Sequence, residues 1–275
     1  MLPSSNKILS NPIRPVKSLG QVFLTHQATA DTLVAALESH PGETILEIGP
    51  GKGILTKRLI EKGCRVIAVE IDRRLVYFLK ELFSSAENLT LIEQDFLEFD
   101  MTNLRGLKII GNLPYYISSQ ILFKLIENHF TWHTAVLTTQ REFAERVLGK
   151  PGGRGYGSLT VLCTYLFSRR RLFNIPPSFF KPSPEVVSTS FVLTRLSCPP
   201  VKISDERWFF AVVRATFKPQ RRKTLLNNLS RNIGLDKEKV AAILKEISLP
   251  QDIRAEDLNL EQFALLSEAL RIFCH

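Results

Sequence analysis

At 275 residues, 44% of them hydrophobic and 23% charged, the chain can fold around its own core as one large domain plus a smaller one, without metal or disulfide support. Its four cysteines, Cys64, Cys163, Cys198 and Cys274, lie far apart with no C-x-x-C spacing and no histidine pair beside them, which excludes a zinc site or a disulfide framework and fits a reducing, cytoplasmic setting. The net charge of +9 points to an anionic partner, with a well-solvated surface as the alternative.

The charge is unevenly placed. Between Lys150 and Arg231 stand fifteen basic residues against three acidic ones, Glu185, Asp205 and Glu206, an excess larger than that of the whole chain. A positive field confined to one region points to nucleic acid rather than to general solubility.

In chain order, Met1 to Gly20 holds prolines, serines and lysines but no apolar signal core, and no run reaches membrane-spanning length, so residues 1–20 read as a flexible basic arm. Leu33, Val34, Ala36 and Leu37 recur at helical spacing and predict a helix from Asp31 to Ser39 capped by Asp31. Next, Thr44-Ile45-Leu46-Glu47-Ile48 reads as a buried parallel strand breaking into Gly49-Pro50-Gly51-Lys52-Gly53 and a helix from Ile54 to Glu61. The alternate glycines let a ligand approach the main chain. A dinucleotide fingerprint needs glycine at the sixth position, where Ile54 stands, and the tighter G-x-G-x-G preceded by Glu47 instead resembles the first motif of S-adenosylmethionine methyltransferases, with an NAD-type nucleotide and a purely structural turn as alternatives.

Three more strands are expected, each ending on a polar residue. Arg65 to Glu70 closes about 20 residues after the turn, the spacing at which a carboxylate reaches a ribose. Leu89 to Gln94 is followed by Asp95, placed to accept a hydrogen bond from an adenine amino group. Leu107 to Gly111 runs straight into Asn112-Leu113-Pro114-Tyr115, which resembles the [DNS]-P-P-[YF] motif of amino-group methyltransferases. An adenine N6 amine is a poor nucleophile because its lone pair is delocalised. Two acceptors, the Asn112 side-chain oxygen and the Leu113 carbonyl, would localise that pair, while Pro114 fixes the backbone and Tyr115 stacks on an extracted base.

Beyond these lie a helix from Ser118 to Glu127, a strand from Thr134 to Thr139, helices from Arg141 to Leu148 and Ser158 to Phe167, and strands from Arg170 to Ile175 and Val187 to Arg195. Pro176 to Glu185 is too proline-rich for regular structure, and its Phe180 and Lys181 could clamp a base. Ser197 to Pro200 marks the expected boundary between a methyltransferase domain, 21–197, and a helical RNA-binding domain, 198–275, whose basic triad is Arg221, Arg222 and Lys223. That domain is expected to hold helices over Asp205 to Phe217, Arg222 to Asn232, Lys237 to Ile247 and Leu260 to Phe273.

Six blocks in this order, Gly20-Gln21-x-Phe23-Leu24, Glu47 to Gly53, Asn112 to Tyr115, Gly155 to Leu159, Phe180 to Val186 and Gln220 to Leu225, resemble the KsgA family of small-subunit ribosomal RNA adenine dimethyltransferases. The resemblance implies an α/β, Rossmann-like methyltransferase sheet with a small all-helical C-terminal domain. It implies S-adenosylmethionine as cofactor, held by Leu24, Gly49, Glu70, Asp95 and Asn112, and no metal. It also implies methylation of two adjacent adenosines in the last small-subunit loop, on an immature particle and away from membranes; nothing suggests a self-complementary patch, so a monomer is expected. One position departs: Val22 stands where the family usually has asparagine or histidine, leaving only a main-chain contact there. Competing readings are a large-subunit methyltransferase of the antibiotic-resistance type, an assembly or transcription factor that kept the fold without catalysis, and an NAD oxidoreductase.

Overall fold

The computed structural model describes residues 13–153, 155–218 and 223–274 and divides into two compact units. The first joins Met1–Ala144 to Arg169–Arg195, and the second joins Glu145–Ser168 to Leu196–His275. The last crossing falls at Leu196, beside the Ser197 to Pro200 segment. The excursion of residues 145–168 into the second unit had no sequence signal.

The first unit is organised by its sheet. After β1 (Phe23–Leu24) and α1 (Gln27–Ala35) come β2 (Thr44–Ile48), α2 (Ile54–Glu61), β3 (Arg65–Glu70), α3 (Arg73–Leu82), β4 (Leu89–Glu93), β5 (Leu107–Asn112), α4 (Ser118–Glu127) and β6 (Trp132–Gln140). Helix α5 (Arg141–Leu148) carries the chain into the second unit, α6 (Ser158–Leu166) lies there, and β7 (Phe167–Ile175), β8 (Phe180–Lys181) and β9 (Ser188–Arg195) follow. Seven strands pair in the order β4-β3-β2-β5-β6-β9-β7. The β4-β3, β3-β2, β2-β5 and β5-β6 pairs are parallel, and β6-β9 is antiparallel. Parallel strands need covering on both faces, and Ile45, Leu46 and Ile48 of β2 are accordingly buried. In a parallel sheet ordered this way, the carboxyl ends of β2, β3, β4 and β5 share one edge, and that edge carries the site.

Two expectations fail here. Helix α1 begins four residues earlier than its apolar spacing indicated, because the His26 ring, not Asp31, accepts the Thr29 N–H as cap; Asp31 instead pairs with Arg58 of α2. Pro176 to Glu185 does contain regular structure: β8 pairs antiparallel with β1, setting Phe23 opposite Lys181 and Leu24 opposite Phe180. No local pattern could announce a ladder between segments so far apart in sequence.

The second unit is helical, with α7 (Glu206–Phe217), α8 (Leu225–Ile233), α9 (Lys237–Glu246) and α10 (Leu260–Cys274) joining α6. Asp205 and Thr224 cap α7 and α8 through their side chains. Within this unit the buried Tyr156 hydroxyl donates to the Leu258 carbonyl at 2.8 Å, fixing the loop before α6. Among the described residues, no helix is long and apolar enough to cross a membrane.

Candidate active site

A cavity of about 180 Å³ opens at the carboxyl edge of the sheet, lined by Gly49, Glu70, Asp95, Asn112 and the segment from Leu19 to Leu24. It gathers Leu24, Gly49, Glu70, Asp95, Asn112, Leu113, Pro114 and Tyr115, every residue assigned to cofactor or amine except Phe180.

The glycine turn makes the cradle. Gly49 and Gly51 have φ of 66° and 57°, left-handed values that side chains disfavour. A Cβ on Gly49 would meet nothing within 4 Å, whereas one on Gly51 would stand 2.9 Å from Phe23 Cδ1. A bound group can therefore lie against the main chain at Gly49, while the Phe23 ring closes over Gly51.

Glu70 sits at the end of β3, 6% exposed. One carboxylate oxygen accepts the Gly51 N–H at 3.2 Å and the other the Asp72 N–H at 3.0 Å. Burial raises its pKa, and these two bonds oppose the shift without cancelling it. Each oxygen retains a lone pair, so the carboxyl can still accept from the hydroxyls of a ribose. Asp72 behaves oppositely: bonded first by Arg74 and also by Gln21, its carboxyl is held down at about 2. As cap of α3 it accepts the Arg74 N–H at 3.0 Å, and Gln21 Nε2 donates to its other oxygen at 2.8 Å.

That last bond ties the N-terminal segment to α3. Gln21 Oε1 also accepts the Val16 N–H at 2.8 Å, so from Val16 onward the segment expected to be a loose arm is fastened. Residues 1–12 of the arm lie outside the described residues.

Asp95 follows β4 and lines the cavity, with Oδ1 accepting the Leu97 N–H at 2.8 Å. Asn112 ends β5. Its Nδ2 donates to the Val22 carbonyl at 2.8 Å, while its Oδ1 is buried without a partner. A buried acceptor left unmatched costs stability, so this oxygen is an acceptor held open. Leu113 N–H is bound to the Thr138 carbonyl at 2.9 Å, and Pro114 has φ −57° and ψ 128°, which turns the chain away from the strand. The Tyr115 hydroxyl hydrogen-bonds Ser188 Oγ at 2.7 Å, and burial raises its pKa. Cofactor and amine groups thus come from consecutive strand ends. Such a cradle, with a carboxyl two strand positions from an open acceptor, fits S-adenosylmethionine beside an amine.

Phe180 is not a stacking ring. At 2% exposure it lies in the core with Leu24, Leu33 and Val192, because alternation along β8 turns Phe180 inward and Lys181 outward. Its neighbour Phe179 is also occupied, stacked on His26 at 3.7 Å. Lys181 and Lys223 are exposed, while Arg221 and Arg222 lie outside the described residues.

Two contributors, and the partner of a third, escaped sequence reasoning. The main-chain contact left at Val22 is made to Asn112, a partner 90 residues away that no local pattern announces. Ser188 has no signal near Tyr115 in sequence. Tyr116, 54% exposed and lining the cavity, was passed over for its neighbour.

A family model described as ribosomal RNA adenine dimethylase matches residues 14–271. A ribosomal RNA small subunit methyltransferase A from Bacillus cytotoxicus is 38% identical over 265 residues, covering 92% of this chain and 90% of that protein. One from Halothermothrix orenii is also 38% identical, over 264 residues, covering 92% and 87%. Among solved structures, a dimethyladenosine transferase from Plasmodium falciparum superposes with a TM-score of 0.74 at 26% identity, covering 89% of this chain and 95% of its own. The 23S rRNA methyltransferase ErmE superposes at 0.65 with 28% identity, covering 90% and 99%.

Proposed function

Because the chain belongs to the ribosomal RNA adenine dimethylase family, we propose that it methylates the N6 amine of two adjacent adenosines in the 3′-terminal loop of small-subunit ribosomal RNA, giving dimethyladenosine during ribosome assembly. The observation that carries this reading is the buried, unpartnered Oδ1 of Asn112, a residue that lines the same cavity as the glycine cradle.

S-adenosylmethionine, when bound, supplies an electrophilic methyl group on a sulfonium, so that a C–N bond forms as the C–S bond breaks. Gly49 and Leu24 would bed this cofactor, Glu70 would take its ribose and Asp95 its adenine. Asn112 Oδ1 and the Leu113 carbonyl each accept one N6 hydrogen, which holds the lone pair out of the ring and aims it. Neither acceptor is basic, so the released proton leaves to water. Tyr115 lies on the base, its tilt fixed by Ser188. Stacking is worth about 1 to 3 kcal/mol per base and is indifferent to a first methyl group, so the monomethylated base is still gripped when one acceptor has lost its partner.

A base inside a helix cannot enter this cavity, so the target lies in a loop or is flipped out. Lys181, Arg221, Arg222 and Lys223 hold phosphates of the flanking RNA. The setting is the cytoplasm and an immature small subunit, and the chain acts as a monomer. The likeness to ErmE favours a second reading, large-subunit RNA as target.

Nucleoside mass analysis after reaction with immature small subunits, with a free hairpin and with large-subunit RNA decides among these. Dimethyladenosine in small-subunit RNA is expected. Monomethyl product alone refutes the two-step site, and label confined to large-subunit RNA overturns the target.

A further inference from the structure

We propose that the main-chain carbonyl of Val22 is the positioning group of the reaction centre, turning the Asn112 amide so that Oδ1 faces the amine and requiring a hydrogen-bond donor at position 112. This rests on the methyl-transfer reading and goes on to say which chemistry the position tolerates.

A carbonyl oxygen only accepts, so the Asn112 atom 2.8 Å from the Val22 oxygen is the amide nitrogen; the flipped amide would set two acceptors against each other. The opposite end, Oδ1, is thereby left buried and open. Val22 is itself bracketed. On one side, Gln21 is tied to Asp72 at 2.8 Å. On the other, β1 is laddered to β8, and the Thr25 N–H and hydroxyl both donate to the Phe179 carbonyl, at 2.8 and 3.0 Å. The side chain at position 22 takes no part in this, which explains how valine serves where the family usually has asparagine or histidine. It also gives the proline-rich segment a role that its core-buried Phe180 left vacant: through β8 and β1 it holds the carbonyl that orients the amide.

The related amine-methylating motif admits aspartate at this position; here it should not. In Asn112→Asp, the ionised carboxylate would press an oxygen against the Val22 carbonyl with no donor between them. Once protonated, its O–H could donate to Val22 and its remaining oxygen accept from the amine, restoring the asparagine pattern. The charged and titratable groups around position 112 are Lys52 and Glu47 from β2 and its turn, Glu70 from β3, Asp95 after β4 and Tyr115 after β5. They are present in variant and wild type alike, so the ratio of the two rates at each pH reports the change made at position 112.

The test is the pH profile of methyl transfer for Asn112→Asp and Asn112→Ala, each relative to wild type, with cofactor binding and melting checked. Near pH 8 Asn112→Asp should be slower by about 100-fold or more. Its ratio to wild type should climb about tenfold per pH unit on acidification until the carboxyl is protonated, while that of Asn112→Ala stays flat. Turnover within a few-fold of wild type at pH 8, or a flat Asn112→Asp ratio, overturns the proposal. Should the variant not fold, or the wild type show no methyl transfer, nitrogen-15 spectra of wild-type side-chain amides decide. One Asn112 amide proton protected from exchange supports the Val22 bond, and both exchanging at the solvent rate refutes it. A wild type inactive on every RNA would overturn the methyl-transfer reading instead, independently of that spectrum.

Discussion

Two walls of the cavity are built by different means. One consists of strand ends: Gly49, Glu70, Asp95 and Asn112 lie at the ends of β2, β3, β4 and β5 and inherit their places from a ladder of parallel pairs. The other is the segment from Val16 to Leu24, held by single hydrogen bonds from Gln21 to Asp72 and from Asn112 to Val22, and by the short β1-β8 pair. Each such bond contributes about 0.5 to 1.5 kcal/mol net. The strand wall should therefore fail through chemistry or folding, whereas the N-terminal wall can be loosened one bond at a time.

The sharpest break in that comparison is Asn112→Ala, which removes the acceptor and spares the sheet. Methyl transfer should fall by about 100-fold or more, with melting temperature and cofactor affinity changed less, as kinetics beside calorimetry would show.

Next is Glu47, beneath the same turn. It is 1% exposed, and burial pushes its pKa up to about 8, with Thr56 opposing the shift and the nearby Glu70 charge adding to it. The folded chain then keeps a proton that the unfolded chain releases above its ordinary 4.5, so stability falls as pH rises through that window. Glu47→Gln removes the titration. Its stability relative to wild type should grow from pH 5 to pH 8 by up to about 1.4 kcal/mol per unit, measured by denaturant unfolding at each pH.

Gly51→Ala joins the two walls in one experiment, since its Cβ would meet the Phe23 ring at 2.9 Å and its φ is left-handed. A cost of about 1 to 2 kcal/mol is expected, a fall in melting temperature of about 2 to 8 °C, together with weaker cofactor binding. The smallest effect should come from Gln21→Ala, which unlatches the N-terminal segment from Asp72: a few-fold loss of cofactor affinity with melting nearly unchanged, read by titration and thermal scan.

The same contrast explains what could be read in advance. The strand wall was legible because a short apolar run ending in glycine, glutamate, aspartate or asparagine carries its own signal, and β2, β3, β5, α2 and α4 stand where their patterns placed them, within a residue or so. The N-terminal wall was legible only through the resemblance of Gly20 to Leu24 to a family block, because its structure is made by partners far off in sequence. Phe180 looked like a free aromatic in a proline-rich loop until pairing with Leu24 turned it into the core. Asp31 had the chemistry of a cap, yet Arg58 on α2 claimed it and His26 took the cap. Residues 145–168 gave a clear helix but no hint that it belongs with the C-terminal helices.

Calorimetric titration of S-adenosylmethionine into wild type and Glu70→Ala, with NAD as control, tests most directly whether these strand ends form a methyl-donor site. Wild type should saturate with S-adenosylmethionine and ignore NAD, and Glu70→Ala should lose about tenfold or more in affinity while remaining folded. A wild type that prefers NAD, or a Glu70→Ala variant that binds S-adenosylmethionine as tightly as wild type, would contradict it.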